Sequence, residues 1–124
     1  MEKLFWLAMA GALGTLARYG VATIVQRHAG DAFPWGVLAA NLTGSFLFGL
    51  VWAAGENQGW ISEQMRVVAL VGFLGAFTTF STFAFNNAQM IRTSDWVWLA
   101  GNLALNNVLG IALVFAGFRA GRVL

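Results

Sequence analysis

Charge is confined to the ends of four long apolar runs, and no other feature constrains this chain so tightly. All five acids (Glu2, Asp31, Glu56, Glu63 and Asp95) and six of the seven bases lie outside runs at about 4–25, 37–54, 67–90 and 96–118. Each run is close to the ~20 residues that carry a helix across a hydrocarbon core. A soluble domain covers its surface with about 25% charged residues. This chain has 10%, beside 59% hydrophobic residues and a mean hydropathy of +0.70. Trp6, Trp35, Trp60, Trp96 and Trp98 fall near the run ends, where interfacial aromatics anchor a spanning segment. The expectation is an all-α protein, a single domain over residues 1–124 with four transmembrane helices.

Several function classes drop out. Ala8-Met9-Ala10 has the small-x-small form of a signal cleavage site. Only about four apolar residues precede it, fewer than the roughly 7–15 of a signal segment, so the first run reads as an uncleaved helix. The formal charge of +2 and the pI near 10.0 rest on few charged residues. No basic cluster tracks a phosphate backbone, so no nucleic-acid partner is expected. The absence of Cys removes disulfides and thiolate metal sites. No nucleophile–base pair or metal-ligand cluster marks an enzyme, and His28, in a connection, is assigned no role.

The orientation signal is weak. Lys3, Arg66, Arg119 and Arg122 fall on one side, Arg27 and Arg92 on the other, joined by Arg18 if its side chain reaches that way. A Lys/Arg excess near helix ends sets topology, and this excess is small. Such a chain can insert both ways and pair as an antiparallel homodimer, or insert one way with Lys3, Arg66 and the tail cytoplasmic.

The polar residues within the spans are almost all neutral. Asn41 and Ser45 share a face of the second span, and Asn102 and Asn106 share a face of the fourth, which Gly110 continues. An Asn in hydrocarbon must find a hydrogen-bond partner or water, so these rows are either interhelical contacts or a wetted pathway. The third span carries Gly72 and Gly75, then Thr78-Thr79-Phe80-Ser81-Thr82. Glycines are poor helix formers and Thr and Ser hydroxyls compete for the backbone. The helix either breaks here or continues with its hydroxyls bonded back to preceding carbonyls. Phe77, Phe80 and Phe83 form a row at three-residue spacing. Such a row packs or faces lipid, or presents its positive ring edges to an anion. Ala10/Gly14, Ala40/Gly44, Gly72/Ala76 and Gly117/Gly121 have the spacing that lets membrane helices approach closely. Arg18, inside the first span, either snorkels to an interface or draws anions to a vestibule.

Taken in order, Gly11-x-x-Gly14-x-x-x-Arg18, Pro34-Trp35-Gly36, Asn41-Leu42-x-Gly44, Gly72-Phe73-Leu74-Gly75 and Thr78-Thr79-Phe80-Ser81-Thr82-Phe83 resemble the Fluc/CrcB family of fluoride channels along the whole chain. The last motif is the most specific. The resemblance implies a dual-topology antiparallel homodimer in the cell membrane, expected to be a bacterial inner membrane, that exports fluoride passively. It implies a broken third helix and a structural sodium ion (Na+) at the dimer centre, held by the backbone carbonyls of Gly75 and Thr78. Phe80, Phe83 and Asn41 match the family's pore residues, and Asn102 and Asn106 stand on its polar track. Ser81 and Thr82 supply further hydroxyls, and Arg18 falls at a vestibule. Ala76 stands where a second glycine is common, and Asn86 where an acid can occur.

Fluoride is small and strongly hydrated, so a narrow pore must replace its water with donors. Amides and hydroxyls serve, and carboxylates would repel. A small proton-coupled multidrug exporter has the same span count but needs a carboxylate in the membrane, and none lies in the spans. A non-conducting assembly subunit is the third reading, which an ion-flux measurement separates from a channel.

Overall fold

A computed structural model describes residues 1–59 and 61–124. Trp60, assigned to the aromatic belt, lies outside the described residues, as do the side chains of Asn57 and Gln58. The described residues contain no strand. Four helical stretches are long and apolar enough to cross a membrane: Glu2–Ala29, Trp35–Glu56, Glu63–Arg92 and Trp96–Arg122. Their ends extend past the apolar runs because helices continue into the polar interfacial residues. We label them α1 (Glu2–Ala29), α2 (Trp35–Gln58), α3 (residues 63–77), α4 (Phe80–Arg92) and α5 (Trp96–Arg122).

Local chemistry sets the ends. Ser62 Oγ accepts from Met65 N at 3.1 Å to cap α3, with Glu63 in the first turn. Gly59, at φ 65°, supplies the left-handed residue that terminates α2. Gln26 ties the α1–α2 connection: its Nε2 donates to Phe33 O at 2.9 Å, and Gly36 N donates to its Oε1 at 3.0 Å. Phe33, Trp35 and Trp98 cluster at that end of the bundle, with Phe33–Trp35 ring centroids 4.6 Å apart.

Lipid tails are as apolar as leucine, so close packing rather than water exclusion joins these helices. Small residues do this work. A Cβ on Gly14 would overlap Phe73 O, and one on Gly72 would lie 2.9 Å from Ala10 Cβ, so the small pairs of α1 and α3 face each other. On α5, Gly117 and Gly121 lie against the α2 backbone at Phe46 and Leu50, while Gly49 of α2 faces Val114 O. Ala40, Leu70, Leu74 and Phe77 form the core between α2 and α3. Within α3, Val68–Leu74 is wound as a π-helix, and Gly75 N bonds Leu70 O, five residues back. Such widened turns are often found at functional sites.

Candidate functional site

Between α3 and α4 two residues leave the helix. Thr78 (φ −93°, ψ 158°) and Thr79 (φ −148°, ψ 125°) are extended, and helix resumes at Phe80. Thr78 closes the first piece, its N–H and its hydroxyl both donating to Leu74 O, at 3.0 and 3.1 Å. Thr79 opens the second, its Oγ1 accepting from Thr82 N at 3.3 Å as an N-cap. In a continuous helix the Thr79 N–H would bond Gly75 O. Here it donates to Asn41 Oδ1 at 2.9 Å, and Asn41 Nδ2 returns a bond to Thr79 O at 3.2 Å. Asn41 thus grips both backbone polar groups of one residue. Gly44, one turn along α2, has no room for a Cβ beside Thr78 Cγ2.

The grip continues as a chain of carboxamides. Asn41 Nδ2 donates to Asn106 Oδ1 at 3.1 Å. Asn106 Nδ2 donates to both Asn102 O and Asn102 Oδ1 at 2.9 Å, and Asn102 Nδ2 donates to Asn87 Oδ1 at 2.7 Å. Ser45 Oγ donates to Asn41 O at 2.8 Å. Backbone groups fix the direction of this chain. The Thr79 N–H can only donate, so Asn41 must present oxygen to it. The Asn102 carbonyl can only accept, so Asn106 must present nitrogen.

Beside the interruption lies a cleft of about 500 Å³ that brings together Asn41, Thr78, Phe80, Phe83 and Asn106 with Gly44, Ser45, Phe48, Thr79, Asn107 and Val114. None of these residues is charged. Phe80 and Phe83 rings are 5.7 Å apart at 58°, and they differ in burial: Phe83 is 8% exposed, Phe80 77%. Phe77 does not extend their row. Two extended residues break the helical period, and Phe77 instead stacks on Phe73 in the core, centroids 6.0 Å apart. Asn102 is 1% exposed and lies behind the cleft rather than on its wall. Ser81 is exposed, its Oγ 3.4 Å from Thr79 Oγ1.

Arg18 and Thr82 line a second cleft of about 360 Å³, with Thr15, Tyr19, Thr23 and Thr79 among its other walls. Arg18 does not snorkel to an interface. It lies midway along α1, and its Nη1 donates to Thr78 O at 3.4 Å. Gly75 sits one turn before the interruption, its carbonyl released from the Thr79 N–H. No group of three or more His, Cys, Asp or Glu is placed to hold a metal ion among the described residues, so a cation here would rest on backbone oxygens.

The model of the CrcB-like protein family (Camphor Resistance, CrcB) matches residues 5–118. The chain belongs to that family. Relatives named fluoride-specific ion channel are similar along nearly their whole length. The Nitrosococcus oceani protein is 46% identical over 123 residues, 99% of this chain and 98% of its own. The Solidesulfovibrio magneticus protein is 45% identical over 124 residues, 100% of this chain and 99% of its own. Membership puts the chain among channels rather than enzymes. The sequence reading assigned no role to Thr79 or to Asn87. Thr79 is the hub of the interruption, signalled by the Thr79-x-x-Thr82 spacing of a helix cap. Asn87 ends the carboxamide chain and follows Phe80 and Phe83 at the i, i+3, i+7 spacing of one helix face.

Proposed function

We propose that this chain is a subunit of a fluoride-selective channel through which fluoride leaves the cytoplasm passively, lowering its toxicity. The observation that carries the reading is the uncharged cleft at the interruption of the third span, in a chain similar from end to end to relatives named fluoride-specific ion channels. The cleft offers what a small, strongly hydrated anion needs: the Asn107 N–H that is not bonded to Leu103 O, ring edges, and no carboxylate. The start of α4 adds the positive end of a helix dipole. Phe80, Phe83, Asn41 and Asn106 are the pathway residues of this reading. Ser81 and Thr82 extend it, Asn102 supports it from behind, and Arg18 attracts anions toward the break.

The working unit is an antiparallel homodimer, with the subunits inserted in opposite senses. Ser81, Thr82 and Asn107 are exposed in the isolated chain at bilayer depth, where polar groups are not left facing lipid. A second copy covers them. A sodium ion at the dimer centre fits the backbone: Gly75 O has lost its helical partner, and Thr78 O keeps a lone pair beside its bond from Arg18. Those two carbonyls would hold it, and its role would be to bind the two interruptions together. Liposomes containing the purified protein should release fluoride rapidly, and chloride far more slowly, when an ionophore clears the charge. Equal rates for both anions would remove the selectivity; no fluoride release would remove the channel.

A further inference from the structure

We infer that Asn87 is a positioning residue for the conduction site, acting through Asn102, Asn106 and Asn41 on the backbone of Thr79. The inference rests on the channel reading for its functional consequence and on hydrogen bonds alone for its geometry.

The carboxamide chain leaves little freedom to its members. Asn41 Nδ2 has two hydrogens, and both are committed, to Thr79 O and to Asn106 Oδ1. Asn106 Nδ2 is likewise committed to the Asn102 carbonyl and side-chain oxygens. The direction imposed at Thr79 therefore passes through Asn106 and requires Asn102 to turn its oxygen toward Asn106. Its nitrogen then faces α4. At 1% exposure Asn102 has no water to receive that N–H, and Asn87 Oδ1, at 2.7 Å, does so instead. Without this acceptor the favoured relief is a turn of the Asn102 amide, which would aim N–H groups at the N–H groups of Asn106. The disturbance ends at the grip on Thr79, hence at the start of α4 and the angle of Phe80 and Phe83. Asn87 need not touch a passing ion. It lies on α4 itself, so the chain closes a loop that leaves the helix at Asn87 and returns to it at Thr79.

The test is a double-substitution cycle between Asn87→Leu and Asn102→Leu, read as fluoride efflux per incorporated channel, with hydrogen exchange of the Thr79 amide measured alongside. Asn87→Leu alone should slow efflux about tenfold and speed Thr79 exchange by a similar factor, the size of one lost buried hydrogen bond. In the Asn102→Leu background it should change efflux by less than about twofold, since nothing remains for it to position. The double variant replaces both partners with apolar groups, so the comparison with Asn102→Leu stands even if Asn87→Leu alone does not fold. Equal slowing in both backgrounds overturns the inference. So does a variant with a lowered unfolding temperature but unchanged efflux and Thr79 exchange, because that marks Asn87 as structural only. Wild-type vesicles that release no fluoride fail the channel reading first, while the exchange data still judge the geometry.

Discussion

Replacing Asn41 by Asp changes one heavy atom and abolishes two hydrogen bonds. Asn41 Nδ2 donates to Thr79 O at 3.2 Å and to Asn106 Oδ1 at 3.1 Å, while its Oδ1 accepts from Thr79 N at 2.9 Å. A carboxylate keeps the third bond and turns the first two into contacts between oxygens. Each acceptor left without a donor costs about 1–3 kcal/mol when buried, so the grip on Thr79 weakens by roughly 2–6 kcal/mol in sum. The new charge adds a second penalty. An anion passing roughly 4 Å away meets about 4 kcal/mol of repulsion at an effective dielectric near 20. At about 1.4 kcal/mol per factor of ten, that repulsion alone slows conduction by roughly a thousandfold. Asn41→Leu breaks the grip without adding charge and separates the two effects. Fluoride-electrode efflux from liposomes, normalised to incorporated protein, should rank wild type above Asn41→Leu and Asn41→Leu above Asn41→Asp. Efflux by Asn41→Asp within a few-fold of wild type would refute both the grip and the anion path beside it.

Gly44→Ala should lower the unfolding temperature in detergent and sharply reduce efflux, because its Cβ would overlap Thr78 Cγ2 and overpacking costs about 1–3 kcal/mol; unchanged values would mean that α2 does not fix the interruption. Phe80→Ile keeps bulk but deletes the ring edge and the pair with Phe83, and a loss of about 0.5–1.5 kcal/mol, the range of an aromatic pair, should reduce efflux roughly two- to twelvefold, whereas wild-type efflux would make Phe80 a lipid-facing residue only. Exhaustive replacement of sodium by a large organic cation should weaken both dimer and efflux, and persistence of both would end the sodium assignment. Val123→Cys, the only thiol in the chain, should be labelled from both membrane faces in near-equal amounts, and one-sided labelling would exclude the antiparallel dimer.

The four spans were legible because charge is costly inside a bilayer, and the chain keeps its acids and nearly all its bases out of it. The small-residue stripes were legible for the same kind of reason, since close approach needs Gly or Ala, but that Ala10/Gly14 meets Gly72/Ala76 is a choice of partner the spacing does not specify. The π-wound Val68–Leu74 had no signal, since nothing in a run of aliphatic residues announces a wider turn. The Phe row was misjudged at Phe77 because periodicity assumes an uninterrupted helix, and the two extended threonines rotate everything that follows. Asn102 and Asn106 were correctly placed on one face, but their spacing could not say whether they meet water or each other. In the structure they bond each other. Asn87 went unread because a polar residue near a span end looks interfacial. Only the partner on α5, fifteen positions along, gives it meaning.

On the proposed reading, one short segment serves two ions of opposite charge, and the interruption supplies the physical reason. A helix that stops presents unpaired carbonyls, and a helix that starts presents unpaired N–H groups. At Thr78 and Thr79 these two ends lie in adjacent residues, pointing different ways. The carbonyl of Gly75 has lost its donor, and the carbonyl of Thr78 faces Arg18 at 3.4 Å, so the α3 side is rich in acceptors. The α4 side opens with donors at the wall of the uncharged cleft that contains Phe80 and Phe83. On the proposed reading, the first end suits a fixed cation and the second a passing anion. What keeps the ends from re-joining into a continuous helix is Asn41, which occupies the Thr79 N–H that Gly75 O would otherwise take. Releasing Asn41 would therefore remove the cation's ligand and the anion's donors in one step. Cation retention and anion conduction should then fail together in every variant that loosens this grip, and separately in none.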